Sequence, residues 1–297
     1  MDKETTSFKL DDFRFGVFPS PGLLLLARLY YHHHNQQQSE YILQSARKLV
    51  HGERVVVEMG GAYGRDALGL AELVAVPRTN EKDEIICPKI YSIDSEDYSD
   101  SWKKLKSLYL SRGPFFSDTK NERAAILSNG TVSTIRTEKG RRIITDSINL
   151  VREDLGTTTF SASLRKRLGT TKAALVYGYN VLNSLDGNEI ENHLNACRDI
   201  LEPGGFVIHV FVDRKPTSNA GENGKKRTEE SGSSPSELVA SAIVSLDKEE
   251  WEHDIRQGTM PSKAYIQELH PFGRDHKLLV HSHIVYVLKL KKKRDEN

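Results

Sequence analysis

The stretch RVVVEMGGAYGRDALGLAELV, residues 54–74, decides how the chain folds. Its opening RVVVEM is a short β-branched run, typical of a strand that is buried in a parallel sheet. Three glycines then fall within five positions, and GRDALGLAELVA has the pattern of a helix. Ligands bind at the carboxyl ends of strands in open α/β sheets, so the turn after Glu58 is predicted to hold a small ligand.

The composition indicates a globular protein and excludes several classes. Of 297 residues 37% are hydrophobic, and 42 basic residues balance 41 acidic ones, so no global charge favours nucleic acid or membrane. Two cysteines are too few for a disulfide framework or a cysteine-based zinc site. We predict no metal site and interpret His32, His33 and His34 as a polar helix end. The polar N-terminus is no signal peptide, and GLLLLARLYY is too short to span a bilayer. We expect a cytoplasmic protein without membrane contact, and the nucleus remains open.

Strand and helix patterns alternate from residue 54 to about residue 250, and two consecutive strands close the chain. This order predicts a doubly wound α/β fold whose mostly parallel seven-stranded sheet has an antiparallel last strand. The two closing strands are predicted in KAYIQELHPF and KLLVHSHIVYVLKL, and ELVASAIVSLDKEEWEHDIRQG before them as a helix.

The predicted domain organisation is a helical N-terminal extension, residues 1–37, followed by one α/β domain, residues 38–297. Three segments interrupt that domain. Residues 77–88 form a polar surface insertion, and residues 114–147 contain a β-hairpin that turns at Lys139-Gly140. Residues 214–236 have almost no apolar content and are predicted to be a flexible loop.

The glycine-rich turn does not fit the dinucleotide fingerprint G-x-G-x-x-G, because from either Gly60 or Gly61 the later glycine positions hold other residues. Instead Glu58, Gly60, Ala62 and Gly64 fall at every second position. This resembles the acid-x-Gly-x-Gly-x-Gly first motif of class I S-adenosylmethionine-dependent methyltransferases, with Ala62 replacing one glycine. The resemblance implies that the loop, Gly61 included, wraps the methionine part of the cofactor, and that the acid supports the loop and the cofactor's amino group.

A carboxylate at the end of the second strand strengthens the resemblance. KIYSID ends in Asp94, where the family has an acid that accepts hydrogen bonds from both ribose hydroxyls. Glu96 and Asp97 remain as rivals for this role. The run RDILEPGG, residues 198–205, also resembles the R-x-L-x-P-G-G ending of a helix in the family.

Further site residues follow only from the resemblance. Asp154, at the end of the predicted third strand, would accept from the adenine amino group, and the N–H of Leu155 would address the ring; Glu153 remains a rival. At the end of the fourth strand, Tyr177 and Tyr179 would line the pocket beside the transferred methyl, unless they are ordinary buried aromatics.

The resemblance implies an S-adenosylmethionine-dependent methyltransferase, but it names no catalytic residue. His209 and His270 are possible bases, although packing inside a strand is the favoured interpretation of each. A small-molecule acceptor is favoured. Protein and nucleic-acid acceptors remain open, the latter through LRKRLG and the basic C-terminal KLKKKR. The alternative function is a catalytically inactive binding or scaffold subunit. The N-terminal helices are predicted to cover the cleft or to bind a protein partner.

Overall fold

The computed structural model describes residues 20, 22–23, 54–77, 85–113, 134–182, 185–212, 235–246, 250–259 and 282–291. The predicted extension 1–37, the loop 214–236, His32–His34 and His270 lie wholly or almost wholly outside these ranges. Among the described residues, no helix is long and apolar enough to cross a membrane.

Strands and helices alternate along most of the described chain. Their bounds, in chain order, are β1 Val55–Met59, α1 Arg65–Val74, β2 Val76–Pro77, β3 Ile85–Ile86, β4 Lys89–Asp94, α2 Ser99–Arg112, α3 Glu138–Asp146, β5 Ile148–Arg152, α4 Phe160–Leu168, β6 Ala173–Tyr179, α5 Gly187–Ile200, β7 Leu201–Val212, α6 Pro235–Ser245, β8 Trp251–Thr259 and β9 Ser282–Leu290.

Seven strands form one sheet in the order β5-β4-β1-β6-β7-β9-β8. The pairs β4–β5, β1–β4, β1–β6 and β6–β7 are parallel, whereas β9 is antiparallel to both of its neighbours. The predicted doubly wound sheet with an antiparallel last strand is therefore confirmed. The chain winds outward from β1 to one edge and then crosses to β6, so the carboxyl ends of β1 and β6 flank the switch point where ligands bind in such sheets.

Helices cover both faces of the sheet. One cluster of buried residues joins the strands to α1, α2 and α3 through Leu68, Tyr109 and Ile144. A second cluster joins the opposite face to α4, α5 and α6 through Phe160 and Leu194, among others. Strand β1 is buried at every position because it lies between these two layers, which explains why four of its five residues are apolar.

The predicted hairpin around Lys139-Gly140 is wrong, because this segment is the helix α3. Thr137 caps the helix, and its side chain accepts a hydrogen bond from the Gly140 N–H at 3.0 Å. Glu138 and Arg142 form an ion pair one turn apart. Gly140 is a packing glycine, since a Cβ there would overlap the backbone carbonyl of Thr134.

Two other predictions change at the end of the domain. WEHDIRQG lies in strand β8 and not in a helix, and β8 pairs along its length with β9. The segment 263–272, predicted as the sixth strand, lies outside the described residues. The Pro203-Gly204-Gly205 turn lies within β7, where the pairing with β6 shifts register and Gly204 has a φ of 86°.

Of the predicted insertions, residues 77–88 contribute β3 to a small two-stranded antiparallel sheet with β2. Residues 78–84 and 114–133 lie outside the described ranges. In the remainder of the second insertion, a short helical stretch at Thr134–Arg136 leads into α3.

Gly140→Ala tests the helix α3. In an ordinary helix interior the substitution raises the free energy of unfolding by about 1 kcal/mol. Here the overlap with Thr134 reverses the sign, and we expect a loss of about 1–3 kcal/mol in urea unfolding. The control is Gly187→Ala at the first position of α5, where the new methyl group meets nothing within 4 Å and stability should rise slightly. A stabilised Gly140→Ala variant would contradict this packing.

Candidate functional site

A cleft opens at the carboxyl ends of β1, β4 and β6. It lies at the switch point of the sheet, where the glycine-rich loop leaves β1. The cleft is lined by Glu58, Met59, Gly60, Gly61, Ala62, Arg65, Asp66, Asp94, Tyr98, Tyr179 and Asn180. Six residues predicted from the sequence therefore line one cleft: Glu58, Gly60, Gly61, Ala62, Asp94 and Tyr179.

The loop between β1 and α1 has an unusual backbone. Gly60, Ala62 and Gly64, the alternate positions of the sequence motif, have φ angles of 66°, 46° and 82°. Glycine adopts this left-handed conformation without strain, whereas for alanine it costs about 1–2 kcal/mol. Ala62 therefore replaces a glycine without changing the course of the loop. Gly61 is required for another reason, because a Cβ there would overlap the side chains of Glu58 and Ser92.

Asp94 joins the end of β4 to the glycine-rich loop. Its Oδ2 accepts a hydrogen bond from the N–H of Ala62 at 2.9 Å, and its Oδ1 accepts one from the N–H of Glu96 at 3.2 Å. Each carboxylate oxygen has a second lone pair for a ligand hydroxyl. The rival Asp97 instead accepts hydrogen bonds from the N–H and hydroxyl of Ser99 at the start of α2, and these lower its pKa.

Glu58 lies beneath the loop and is almost completely buried. The hydroxyl of Ser92 donates a hydrogen bond to its Oε2 at 2.5 Å. Burial, followed by the negative charge of Asp66, raises the pKa of Glu58 well above its usual value, although Ser92 and Arg65 act in the opposite direction. A cationic group entering the cleft would favour the ionised form of this carboxyl.

Asp66, in the first turn of α1, binds a piece of the N-terminal segment. The N–H of Ser20 donates to Asp66 Oδ1 at 2.5 Å, and the Ser20 hydroxyl donates to Oδ2. The N–H of Leu23 donates in turn to the Ser20 hydroxyl at 3.1 Å. Gly22 lies so close to the ring of Tyr179 that a Cβ would overlap it. These contacts place the described part of the N-terminal segment directly against two residues that line the cleft.

Four predicted site residues lie elsewhere. Gly64 faces away from the cleft, and a Cβ there would be 3.1 Å from Trp102. Tyr177 is fully buried, and its hydroxyl lies 3.5 Å from Asp66 Oδ2. Asp154 is exposed in the turn after β5, where it accepts a hydrogen bond from the N–H of Gly156 at 3.1 Å, and the half-buried Leu155 packs against the core.

Five further residues line the cleft beside the six predicted ones: Met59, Arg65, Asp66, Tyr98 and Asn180. For two of these residues, the sequence contains a feature that points to the cleft. Asp66 is an acid in the first turn of the helix after the glycine motif, and Asn180 directly follows β6. The backbone of Asn180 is left-handed, with a φ of 57°, and its N–H donates to the carbonyl of Val210 at 2.8 Å.

Glu58→Gln tests the burial of this carboxyl through the pH dependence of stability. With a raised pKa, the folded protein keeps a proton that the unfolded chain releases near pH 4.5. The contribution of Glu58 to the free energy of unfolding is therefore largest below that pH, and it falls as the pH rises toward the pKa that Glu58 has in the folded protein. Glutamine cannot ionise, so we expect the variant to unfold at higher urea than the wild type at pH 8, with the difference shrinking toward pH 4.

The control for this experiment is Glu138→Gln, which removes an exposed acid whose pKa is lowered by its hydrogen bond and ion pair with Arg142. It should not stabilise the protein at pH 8. A Glu58→Gln variant with the same pH profile as the wild type would contradict a buried, protonated carboxyl.

Ser20→Ala tests the contact between the N-terminal segment and the cleft. The substitution leaves the buried Asp66 with one hydrogen bond fewer, so we expect it to lower the free energy of unfolding by about 1–3 kcal/mol. Ser99→Ala, which removes a similar serine–aspartate hydrogen bond from an exposed site, is the control and should cost less. Equal effects of the two substitutions in urea unfolding would show that Ser20 is not bound at Asp66.

No protein-family model matches the chain, and no curated protein sequence matches it. Among solved structures, an rRNA methylase from Streptococcus thermophilus is similar over 84% of this chain and 94% of its own, at 12% identity and a TM-score of 0.41. The N-methyltransferase NodS from Bradyrhizobium japonicum WM9, in complex with S-adenosyl-L-homocysteine, is similar over 92% of this chain and 100% of its own, at 11% identity and a TM-score of 0.42. The order and directions of the seven strands agree with the Rossmann-like fold that the resemblance to class I methyltransferases implied.

Proposed function

We propose that the protein is an S-adenosylmethionine-dependent methyltransferase that acts on a small molecule. The observation that carries this proposal is the meeting of the glycine-rich loop and Asp94 in one cleft, joined by the hydrogen bond from the Ala62 N–H to the Asp94 carboxylate. A loop that allows close backbone approach suits the amino-acid end of a nucleoside cofactor. A carboxylate one strand away suits its ribose.

The charges in the cleft support this orientation. An amino-acid group carries one positive and one negative charge, and the cleft offers the carboxyls of Glu58 and Asp66 beside the guanidinium of Arg65. Arg65 Nε lies 3.6 Å from Asp66 Oδ1, so these charges are close together at the start of α1. We assign the ammonium group to the two carboxyls and the carboxylate to Arg65 and the N-terminal end of α1.

The nucleoside part of the cofactor would extend toward β4. Asp94 would accept hydrogen bonds from the ribose hydroxyls, since its two oxygens keep acceptor capacity after binding Ala62 and Glu96. Tyr98 supplies an aromatic ring on the same side of the cleft. Asp154 and Leu155, predicted to address the adenine, follow β5 at the sheet edge beside β4, and their role stays a prediction.

When bound, the cofactor supplies a methyl group on a sulfonium: the acceptor's lone pair forms the new bond as the carbon–sulfur bond breaks, and that electron pair returns to sulfur. The protein would hold the acceptor in line with the methyl–sulfur bond and would exclude water from the cleft. Tyr179 and Asn180, which line the cleft at the end of β6, would contact the acceptor. The proton lost by the acceptor leaves to solvent or to a base that we do not assign.

The surroundings of the cleft favour a small acceptor over a nucleic acid. Asp66 and Asp94 line the cleft beside one arginine, so the cleft has no excess of positive charge that would attract phosphates. The basic run in α4 is partly neutralised as well, because Arg165 pairs with Asp199 and Arg167 with Glu153. A nucleic-acid acceptor would instead show an affinity that falls steeply with added salt.

Asp94→Ala tests the cofactor site by titration calorimetry with S-adenosylmethionine. Losing hydrogen bonds to a charged acceptor costs about 1.5–3 kcal/mol, so we expect the affinity to fall roughly 10- to 100-fold. The control is Asp97→Ala, three residues further along, which removes the hydrogen bonds with Ser99 at the start of α2 and should leave the affinity nearly unchanged. Absence of binding to the wild type at millimolar cofactor would overturn the proposal, and unchanged affinity in Asp94→Ala would overturn the ribose assignment.

Transfer itself requires a separate measurement. Wild-type protein and the Asp94→Ala variant would be incubated with methyl-labelled cofactor and a panel of small-molecule acceptors, with RNA and protein as comparison. We expect labelled small-molecule product from the wild type and far less from the variant. Cofactor binding without transfer to any acceptor would favour the non-catalytic binding subunit.

A further inference from the structure

Two histidines and a cysteine meet on the opposite face of the sheet from α1. His193 and Cys197 lie one turn apart on α5, so their side chains share the face that packs on the sheet. His209 belongs to β7. All three are buried, with at most 2% of the surface of any of them exposed. The cluster brings together the donor atoms Nε2, Sγ and Nε2, which all lie within 4.8 Å of one another.

Two of the three distances between these donor atoms are close to those around a single tetrahedral ion. His193 Nε2 lies 3.1 Å from His209 Nε2 and 3.7 Å from Cys197 Sγ. Zinc bonds of about 2.0–2.1 Å to nitrogen and 2.3 Å to sulfur, at tetrahedral angles, separate two nitrogens by about 3.3 Å and nitrogen from sulfur by about 3.6 Å. Both observed distances agree with these values to about 0.2 Å, and the third pair, Cys197 and His209, lies within 4.8 Å.

Each ring of the histidine pair has one nitrogen facing the other ring and one buried nitrogen, Nδ1, on its far side. Only one proton can lie between the two Nε2 atoms, so one ring keeps a bare Nδ1 and the other an Nδ1–H. Neither Nδ1 has a hydrogen-bond partner within the described part of the chain.

A glycine makes room for the cluster. Gly178 on β6 pairs with His209 on β7, and a Cβ at Gly178 would lie 2.6 Å from His209 Nδ1. Glycine weakens the interior of a strand and often marks a close approach of another group. Phe160 stacks on the other side of His193, with ring centroids 6.5 Å apart. The rings are thus held in place by packing from both β6 and α4.

We propose that His193, Cys197 and His209 form a buried zinc(II) site that joins α5 to β7. Two imidazole nitrogens and one thiolate are a ligand set that suits zinc, and a water molecule or an open position would complete the coordination. Binding requires the thiol of Cys197 to lose its proton, which passes to solvent as the ion enters. The proposed zinc site does not require the cofactor cleft, but the two are neighbours: Gly178 precedes Tyr179 on β6, and the carbonyl of Val210, next to His209, accepts a hydrogen bond from the N–H of Asn180.

The test uses the full chain carrying His32→Ala, His33→Ala and His34→Ala, which removes a competing histidine cluster from the sequence. Because the site is buried, the protein is unfolded with reductant and chelator and refolded with one equivalent of zinc(II) or cobalt(II). After unbound and weakly bound metal ions are removed, we expect about one ion per chain. The cobalt form should show the intense visible bands of tetrahedral coordination and a near-ultraviolet band from the thiolate.

Cys197→Ser should abolish the thiolate band, and His209→Gln should lower the bound metal at least tenfold. The matched control is Cys87→Ser, which removes the only other cysteine and should leave metal content and spectrum unchanged. Circular dichroism identifies any variant that fails to fold. For the starting protein, zinc should then raise the midpoint of thermal unfolding relative to the chelated form.

Refolded starting protein without bound metal and without a zinc-dependent rise in its unfolding midpoint would overturn the proposal. So would equal metal content in Cys197→Ser, His209→Gln and Cys87→Ser, because the ion would then lie elsewhere.

Discussion

The hydrogen bond between the Ala62 N–H and the Asp94 carboxylate, 2.9 Å long, is the interaction on which the cleft depends. It joins the ends of β1 and β4 at the point where the chain must reverse direction. The left-handed conformations of Gly60, Ala62 and Gly64 create the bend, and the packing of Gly61 against Glu58 and Ser92 holds it from below. The same carboxylate thus serves the architecture and keeps acceptor capacity for a ligand.

The meeting of the glycine-rich loop and Asp94 could be predicted from the sequence because the signals are local, and their binding of a cofactor stays a prediction. A buried strand, a glycine pattern with a two-residue period and an acid at the next strand end are each visible in a few consecutive residues. Their meeting in space follows from the parallel sheet, which places the carboxyl ends of β1 and β4 side by side. Asp66 was missed because its role depends on Ser20, 46 residues away.

The wrong predictions concern segments whose structure is decided by tertiary contacts. The β-branched residues around Gly140 favoured a hairpin, but capping by Thr137 and burial of Ile144 stabilise α3. Strand β8 has a mostly polar sequence because it lies at the sheet edge, beside β9 alone, so its pattern did not distinguish it from a helix. The pair His193 and Cys197 was visible at helical spacing, but His209 joins them only through the packing of α5 on the sheet, and the sequence alone predicted no metal there.

Two different groups of side chains therefore lie next to β6. One lines an open, mostly acidic cleft that suits a charged nucleoside, and the other is a closed cluster of nitrogen and sulfur donors. The central claim concerns the cleft, and a crystal structure grown with S-adenosylhomocysteine tests it most directly. The account predicts ribose hydroxyls within about 3.2 Å of the Asp94 carboxylate and the amino-acid group against Gly60, Gly61 and Ala62. A ligand bound elsewhere, or a closed loop over an empty cleft, would contradict it.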